Sequence, residues 1–200
     1  MIVLWLQIKK NLFRIFPRWG KVFWFSFFCL VLLAGWYLGF KRSQTRLEVK
    51  QMETIKITSP AFLDQQRIPD KYTCQGEDVN PALEFSNVPS GCQSLALIVD
   101  DPDAPGGVWT HWLVFNIDPS LVRVEENSVP LKAIQGRNSF GHNQWGGPCP
   151  PPGPVHHYRF KIYALKEKLN LSSTADQSEL EKAMEGKILG FGQLIGTFSR

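Results

Sequence analysis

Two stretches of the chain carry side chains whose type and spacing suit chemistry. The first is Asp100-Asp101-Pro102-Asp103-Ala104-Pro105, followed shortly by Thr110-His111-Trp112. Three carboxylates crowded at the end of an apolar run repel one another unless cations, backbone N–H groups or water compensate them. The plain alternative is a proline turn in which the carboxylates make local hydrogen bonds; that reading is taken for Asp100 and Asp103. Asp101 and His111 become a functional pair only if the fold brings two strand ends together. The second stretch, Gly141 to Tyr158, reads GHNQWGGPCPPPGPVHHY, and its five prolines and four glycines exclude regular structure. A loop of that length and stiffness running into His156-His157-Tyr158 is a candidate pocket wall. Side chains alternate along a strand, so His156 and Tyr158 share one side and His157 faces the other.

These groups could bind an anion through imidazole N–H, tyrosine O–H and freed backbone N–H groups. An aspartate beside an anion would repel it, so Asp101 is expected to orient an imidazole. The same Asp101, His111 and His156 could instead serve a hydrolase or a metalloenzyme, since two histidines and a carboxylate suit zinc. The chain has no H-E-x-x-H and no G-x-S-x-G pattern, and nothing protease-like surrounds Cys149 as a nucleophile. Binding is therefore preferred to catalysis, with no catalytic residue, metal or cofactor expected.

The elements that must position these residues read as strands. Ser94–Asp100 is nearly all apolar, as in a strand buried on both faces, and His111–Ile117 is similar. In His157–Leu165, Tyr158, Phe160, Ile162 and Ala164 share a face, Thr54–Thr58 alternates, and Gln193–Phe198 supplies a last strand. One helix is expected where Leu180, Ala183, Met184 and Ile188 form a stripe, with Thr174 and Gln177 as its capping box. A β-sandwich carrying one or two peripheral helices accounts for this order.

The 200 residues are 44% hydrophobic and 20% charged, which excludes a disordered chain. Fourteen Pro and sixteen Gly argue against long helices outside a special segment. The formal charge of +4 is unevenly placed. Residues 1–50 hold nine Lys/Arg and one acid, a net of +8, while residues 51–200 hold thirteen Lys/Arg and seventeen acids, a net of −4. A nucleic-acid partner needs a basic face on the folded domain, so nucleic acid is set aside.

Val22 to Phe40 is a run of nineteen uncharged residues. At about 1.5 Å per residue, a helix of that length matches the hydrocarbon core of a bilayer. Trp19, Trp24, Trp36 and Tyr37 gather toward its ends, as interfacial rings do. A core helix would show a polar face, and a cleaved signal peptide would end in small residues rather than Gly35-Trp36-Tyr37-Leu38-Gly39-Phe40. The expectation is a basic cytoplasmic leader over 1–21, a single uncleaved membrane span over 22–40, a tether over 41–52 and an outer domain over 53–200. Lys9, Lys10, Arg14, Arg18 and Lys21 before the span place that domain in a periplasm or extracellular space.

Taken in order, the stretches YTCQGEDVNPAL (Tyr72–Leu83), SLALIVDDPDAP, THWLVFNI, QGRNSFGHNQWGGPCPP, HHYRFKIYAL and AMEGKILG resemble the phosphatidylethanolamine-binding protein family, in its bacterial and archaeal Raf-kinase-inhibitor-like branch. The resemblance covers about residues 53 to 200. It implies a large central sheet packed on a smaller one, C-terminal helices, and a small pocket at one sheet edge for phosphate-like groups. On that likeness the ligand-binding set is Asp101, Pro105, His111, Gly147, Cys149, His156 and Tyr158. The implied partner is an anionic small molecule or a phospholipid headgroup, and the family's names suggest modulation of a kinase or protease. His157 departs from the arginine usual between the histidine and tyrosine, which puts that arginine's salt bridge in question. Cys74 and Cys149 both fall inside matched motifs whereas Cys92 does not. A Cys74–Cys149 disulfide is expected, the alternative being three free thiols with Cys149 packed or lining the pocket.

Overall fold

The computed structural model describes residues 52–200, and the leader and span expected over 1–40 and most of the tether lie outside the described residues. Among the described residues no helix is long and apolar enough to cross a membrane. Ten strands and one α-helix follow in chain order: β1 (Glu53–Thr54), β2 (Lys56–Thr58), β3 (Gln66–Arg67), β4 (Leu83–Ser86), β5 (Ser94–Asp101), β6 (Trp109–Ile117), β7 (Arg123–Val124), β8 (Ile134–Gln135), β9 (His156–Leu165), α1 (Gln177–Met184) and β10 (Ile188–Phe198). A seven-stranded sheet runs β1-β10-β9-β5-β6-β8 with β3 also on β10, and a second sheet runs β2-β4-β7. The alternating Thr54–Thr58 stretch is divided between the two sheets, because β1 pairs with β10 and β2 with β4.

Both faces of the large sheet are covered, which is why β5 is buried at all eight positions. On one face Leu95, Leu97, Val99, Phe160 and Ile162 pack with Ile57, Leu83, Phe85 and Val124 of the small sheet. On the other, Ala96, Ile98, Leu113 and Phe115 pack with Leu180 and Met184 of α1. The helix begins later and ends earlier than the sequence expectation. Asp176 is the N-cap and forms a reciprocal capping box with Glu179, and Ile188 opens β10 rather than extending the helix stripe. Thr174 instead shares a hydroxyl hydrogen bond with Ser172. The peripheral layer is one α-helix among the described residues, within the one or two read from the sequence and fewer than the C-terminal helices that the family likeness implied.

Asp100 does not cap a turn. It is fully buried on the helix side of β5, accepting from Arg159 Nε at 2.7 Å, Lys161 Nζ at 2.6 Å and Gln177 Nε2 at 3.1 Å. Gln177 in turn accepts from Thr110 Oγ1 at 2.6 Å. This cluster ties β5, β6 and β9 to the first turn of α1. Burial alone would raise the Asp100 carboxyl's pKa, but the hydrogen bonds and charges of Arg159 and Lys161 outweigh it and hold it below the usual carboxylate range.

Candidate functional site

Strand β5 lies between β9 and β6 and runs antiparallel to both. The C-terminal end of β5 therefore lies between the N-terminal ends of β6 and β9. That arrangement gathers Asp101, the last residue of β5, with His111 near the start of β6 and with His156 and Tyr158 at the start of β9. Asp101, His156 and Tyr158 fall by alternation on the face shared with the small sheet.

His111 reaches that face through a β-bulge. Val99 pairs with Trp112 but Asp100 pairs with Thr110, so β6 carries one extra residue at His111. Strict alternation would have sent His111 to the helix face beside Leu113 and Phe115; the bulge turns it toward the pocket. The ring then packs edge-on to Tyr158, with centroids 5.1 Å apart, and to Phe140 at 5.5 Å.

A cavity of about 290 Å³ opens at these strand ends, lined by Asp101, His111, His156 and Tyr158 and by apolar walls. The β5–β6 loop supplies Ala104 and Pro105, and β6 supplies Trp109. Phe140, Cys149, Pro150 and Pro151 come from the long loop before β9. The expected residues Asp101, Pro105, His111, Cys149, His156 and Tyr158 thus meet at one cavity. Gly147 is not part of its lining. Its buried backbone instead sits against the loop before β4, donating N–H to Asp78 Oδ1 at 2.7 Å. A Cβ there would lie 2.6 Å from the Tyr72 carbonyl oxygen, so only glycine permits the approach.

Both pocket histidines have their tautomer fixed by an oxygen acceptor. His156 Nδ1 donates to Asp101 Oδ2 at 2.7 Å, and His111 Nδ1 donates to the Gly146 carbonyl at 2.5 Å. Nε2 is the nitrogen left over in each ring, a bare acceptor when the ring is neutral and a donor when it is protonated. Burial pushes the His111 pKa down, with the Gly146 carbonyl and the charge of Asp101 opposing it. The Tyr158 side chain is 1% exposed, and its buried hydroxyl has no hydrogen-bond partner. Burial, then the charge of Asp101 and an approach to its carboxylate that falls short of hydrogen-bond geometry, raise that hydroxyl's pKa and keep it a proton donor. Among the described residues no three His, Cys, Asp or Glu side chains stand close enough to share a metal ion.

The carboxylates divide differently from the sequence expectation. The Asx turn belongs to Asp101, whose Oδ1 accepts from the Asp103 N–H at 2.8 Å. Asp103 reaches across to β9, where its Oδ2 accepts from both the backbone N–H and Nδ1 of His157, each at 2.8 Å. His157 therefore makes exposed hydrogen bonds to Asp103 where the family's arginine was in question.

Sequence reasoning missed the residues that shape the long loop. Asn138 is buried, and its side chain accepts from the Phe140 and His142 N–H groups and donates to the Gln144 and His111 carbonyls. That hub presents Phe140 to the cavity. The signal was the polar Asn138-Ser139 pair ahead of Phe140-Gly141, a turn composition inside an otherwise featureless stretch. The loop's far side is tied by a Cys74–Cys149 disulfide with Cα atoms 5.4 Å apart, and by the Cys74 N–H donating to the Pro148 carbonyl. Cys92 is a free thiol.

Comparison with known proteins places this architecture. The family model described as phosphatidylethanolamine-binding protein matches residues 58–199. A UPF0098 protein of Pyrococcus abyssi is 48% identical over 155 residues, covering 74% of this chain and 86% of the relative. One from Aquifex aeolicus is 40% identical, covering 73% and 89%. Among solved structures, a phosphatidylethanolamine-binding protein homologue from Chlamydia trachomatis superposes with a TM-score of 0.71 at 38% identity, covering 74% of this chain and 99% of that one. Escherichia coli YbcL, described as a member of the mammalian PEBP family, gives 0.70 at 31%, covering 73% and 98%. The family model's match over most of the described residues and these relationships show that the chain belongs to the phosphatidylethanolamine-binding protein family.

Proposed function

We propose that the protein is a binding module which takes a phosphate-like anionic group, free or carried on a phospholipid headgroup, at the cavity between β5, β6 and β9. The 22–40 run would hold it on a membrane with the domain outside, where it could present or withhold that ligand to a kinase or protease. The observation that carries the reading is the buried Tyr158 hydroxyl, a donor without a partner in a cavity shared with two tautomer-fixed imidazoles. A buried polar group left unpaired is costly, and an anion oxygen would satisfy it. A binding role without turnover fits the walls, which hold no nucleophile beside a free base.

The tautomers give the pH dependence its sign. Each neutral ring offers only a lone pair at Nε2, which repels an anion, whereas each protonated ring adds a charge-assisted donor. His111, its pKa held down by burial, protonates late as the pH falls. Sulfate keeps its charge over this range, so its titration by NMR reads the protein alone. Its affinity should fall by roughly tenfold or more between pH 5.5 and 8. A flat profile would reject imidazolium binding.

At the acid end of that range, where the late-protonating His111 also carries its charge, His111→Ala or His156→Ala should each weaken phosphate by at least about tenfold, the order expected for losing a charge-assisted hydrogen bond. His157→Ala, on the other face of β9, should cost less than about threefold. Isothermal titration with inorganic phosphate and, separately, glycerophosphoethanolamine distinguishes a free anion from a headgroup. Binding of neither ligand at this cavity would overturn the reading.

A further inference from the structure

One wall of the cavity is built from a segment with almost no hydrogen-bonding backbone of its own. Pro148, Pro150, Pro151 and Pro152 lack an N–H, and the segment pairs with no strand. Three ties hold it to the loop over residues 74–78, which also lacks strand or helix. Two are hydrogen bonds, Gly147 N–H to Asp78 and Cys74 N–H to the Pro148 carbonyl, and the third is the disulfide. A contact from Arg200 Nε to the Pro150 carbonyl at 2.5 Å is the fourth support. The disulfide is the single covalent one. Cys74 and Cys149 are both exposed, and Cys149 itself lines the cavity. Exposed disulfides are the exchangeable ones.

We infer that the Cys74–Cys149 disulfide is a thiol-exchange site, and that its reduction loosens the wall and lowers the cavity's affinity for its anion. This rests on the reading of the cavity as an anion site. The reductant is a dithiol, of the oxidoreductase or small-molecule class. Its thiolate attacks the Cys149 sulfur, forming a mixed disulfide and releasing Cys74 as a thiolate. Its second thiolate then attacks the mixed disulfide, the oxidised dithiol departs, and Cys149 is left as a thiolate. Two electrons pass to the protein, and the two cysteine thiolates take up the protons shed by the dithiol. Among the described residues the one remaining thiol, Cys92, is too far away to act as the reductant. Cys92 precedes β5 at the end remote from Asp101, on the order of 25 Å away at about 3.3 Å per strand residue. Its thiol is also driven toward the protonated form by burial.

Linkage makes the effect measurable from both sides. If reduction weakens the anion by some factor, the bound anion opposes reduction by the same factor. The test uses the full chain at pH 6 with sulfate as probe, oxidised or reduced with dithiothreitol under argon. Sulfate affinity should fall at least fivefold on reduction and return on reoxidation. Saturating sulfate should shift the equilibrium with a glutathione buffer toward the disulfide by the same factor. Unchanged affinity in protein whose Cys74 and Cys149 have become alkylatable overturns the inference alone. Absence of sulfate binding at His111 and His156 in the oxidised protein overturns both it and the anion reading. If the reduced protein loses its fold, the inference is overturned, because reduction then acts on the whole domain and not on the cavity wall.

Discussion

Asp100→Asn should destabilise the domain by about 3–5 kcal/mol, the cost of leaving a buried cation without its partner. For a domain of this size that is roughly a 6–20 °C fall in the melting temperature. The Lys161 ammonium is 9% exposed and lies 2.6 Å from the Asp100 carboxylate, while its other acidic neighbour, Glu181, is 3.7 Å away and half exposed. An amide keeps the shape of the carboxylate and removes the charge, so Lys161 and Arg159 lose their common counter-ion. Adding Lys161→Met to Asp100→Asn should recover part of the loss, because the stranded charge is then gone. The sign with pH follows from the carboxyl's lowered pKa. Below its unfolded value of about 3.9, a depressed folded pKa contributes stability that is complete above about pH 5 and is lost as the pH falls through the folded pKa. The wild-type acid-unfolding limb should be steeper than that of Asp100→Asn. Equal melting temperatures by calorimetry at pH 7 would show that the cluster adds nothing to the fold.

Breaking the disulfide should have the second largest effect. The bridge joins residues separated by 75 positions, and in the chain-entropy model a loop of that length contributes about 4 kcal/mol by restricting the unfolded chain. Cys74→Ser with Cys149→Ser should lower the urea midpoint accordingly, with the slope of free energy against urea rising because the unfolded state is less compact. A midpoint within experimental error of the oxidised protein would place the bridge's value elsewhere than in stability.

The strands were legible because burial on two faces writes itself as uninterrupted apolar residues, as in Leu95 to Val99. Alternation likewise exposed the shared face of Tyr158, Phe160 and Ile162. What sequence could not reveal depends on partners distant along the chain. Asp100 looked like a turn residue because Arg159, Lys161 and Gln177 lie 59, 61 and 77 positions away. The pairing of Asp103 with His157 spans 54 positions. The helix cap was misplaced for a different reason. Asp176 with Glu179 satisfies the same capping pattern as Thr174 with Gln177, and local pattern alone does not rank them. The identity of the pocket residues was legible through the family likeness, whereas the walls from Trp109 and Phe140 were not.

Asp100 and Asp101 are adjacent in the chain yet open onto opposite faces of one strand, the first holding the helix and the second an imidazole. The extra residue at His111 separates their fates further. Losing a single codon from the Thr110 position would restore even pairing and set the imidazole opposite Asp100, on the helix side, leaving the sheet itself continuous. The binding site is thus hereditarily detachable from its scaffold. One in-frame deletion in β6 would silence the cavity while sparing most of the hydrophobic interior, so a descendant could keep this architecture and abandon its ligand in one step.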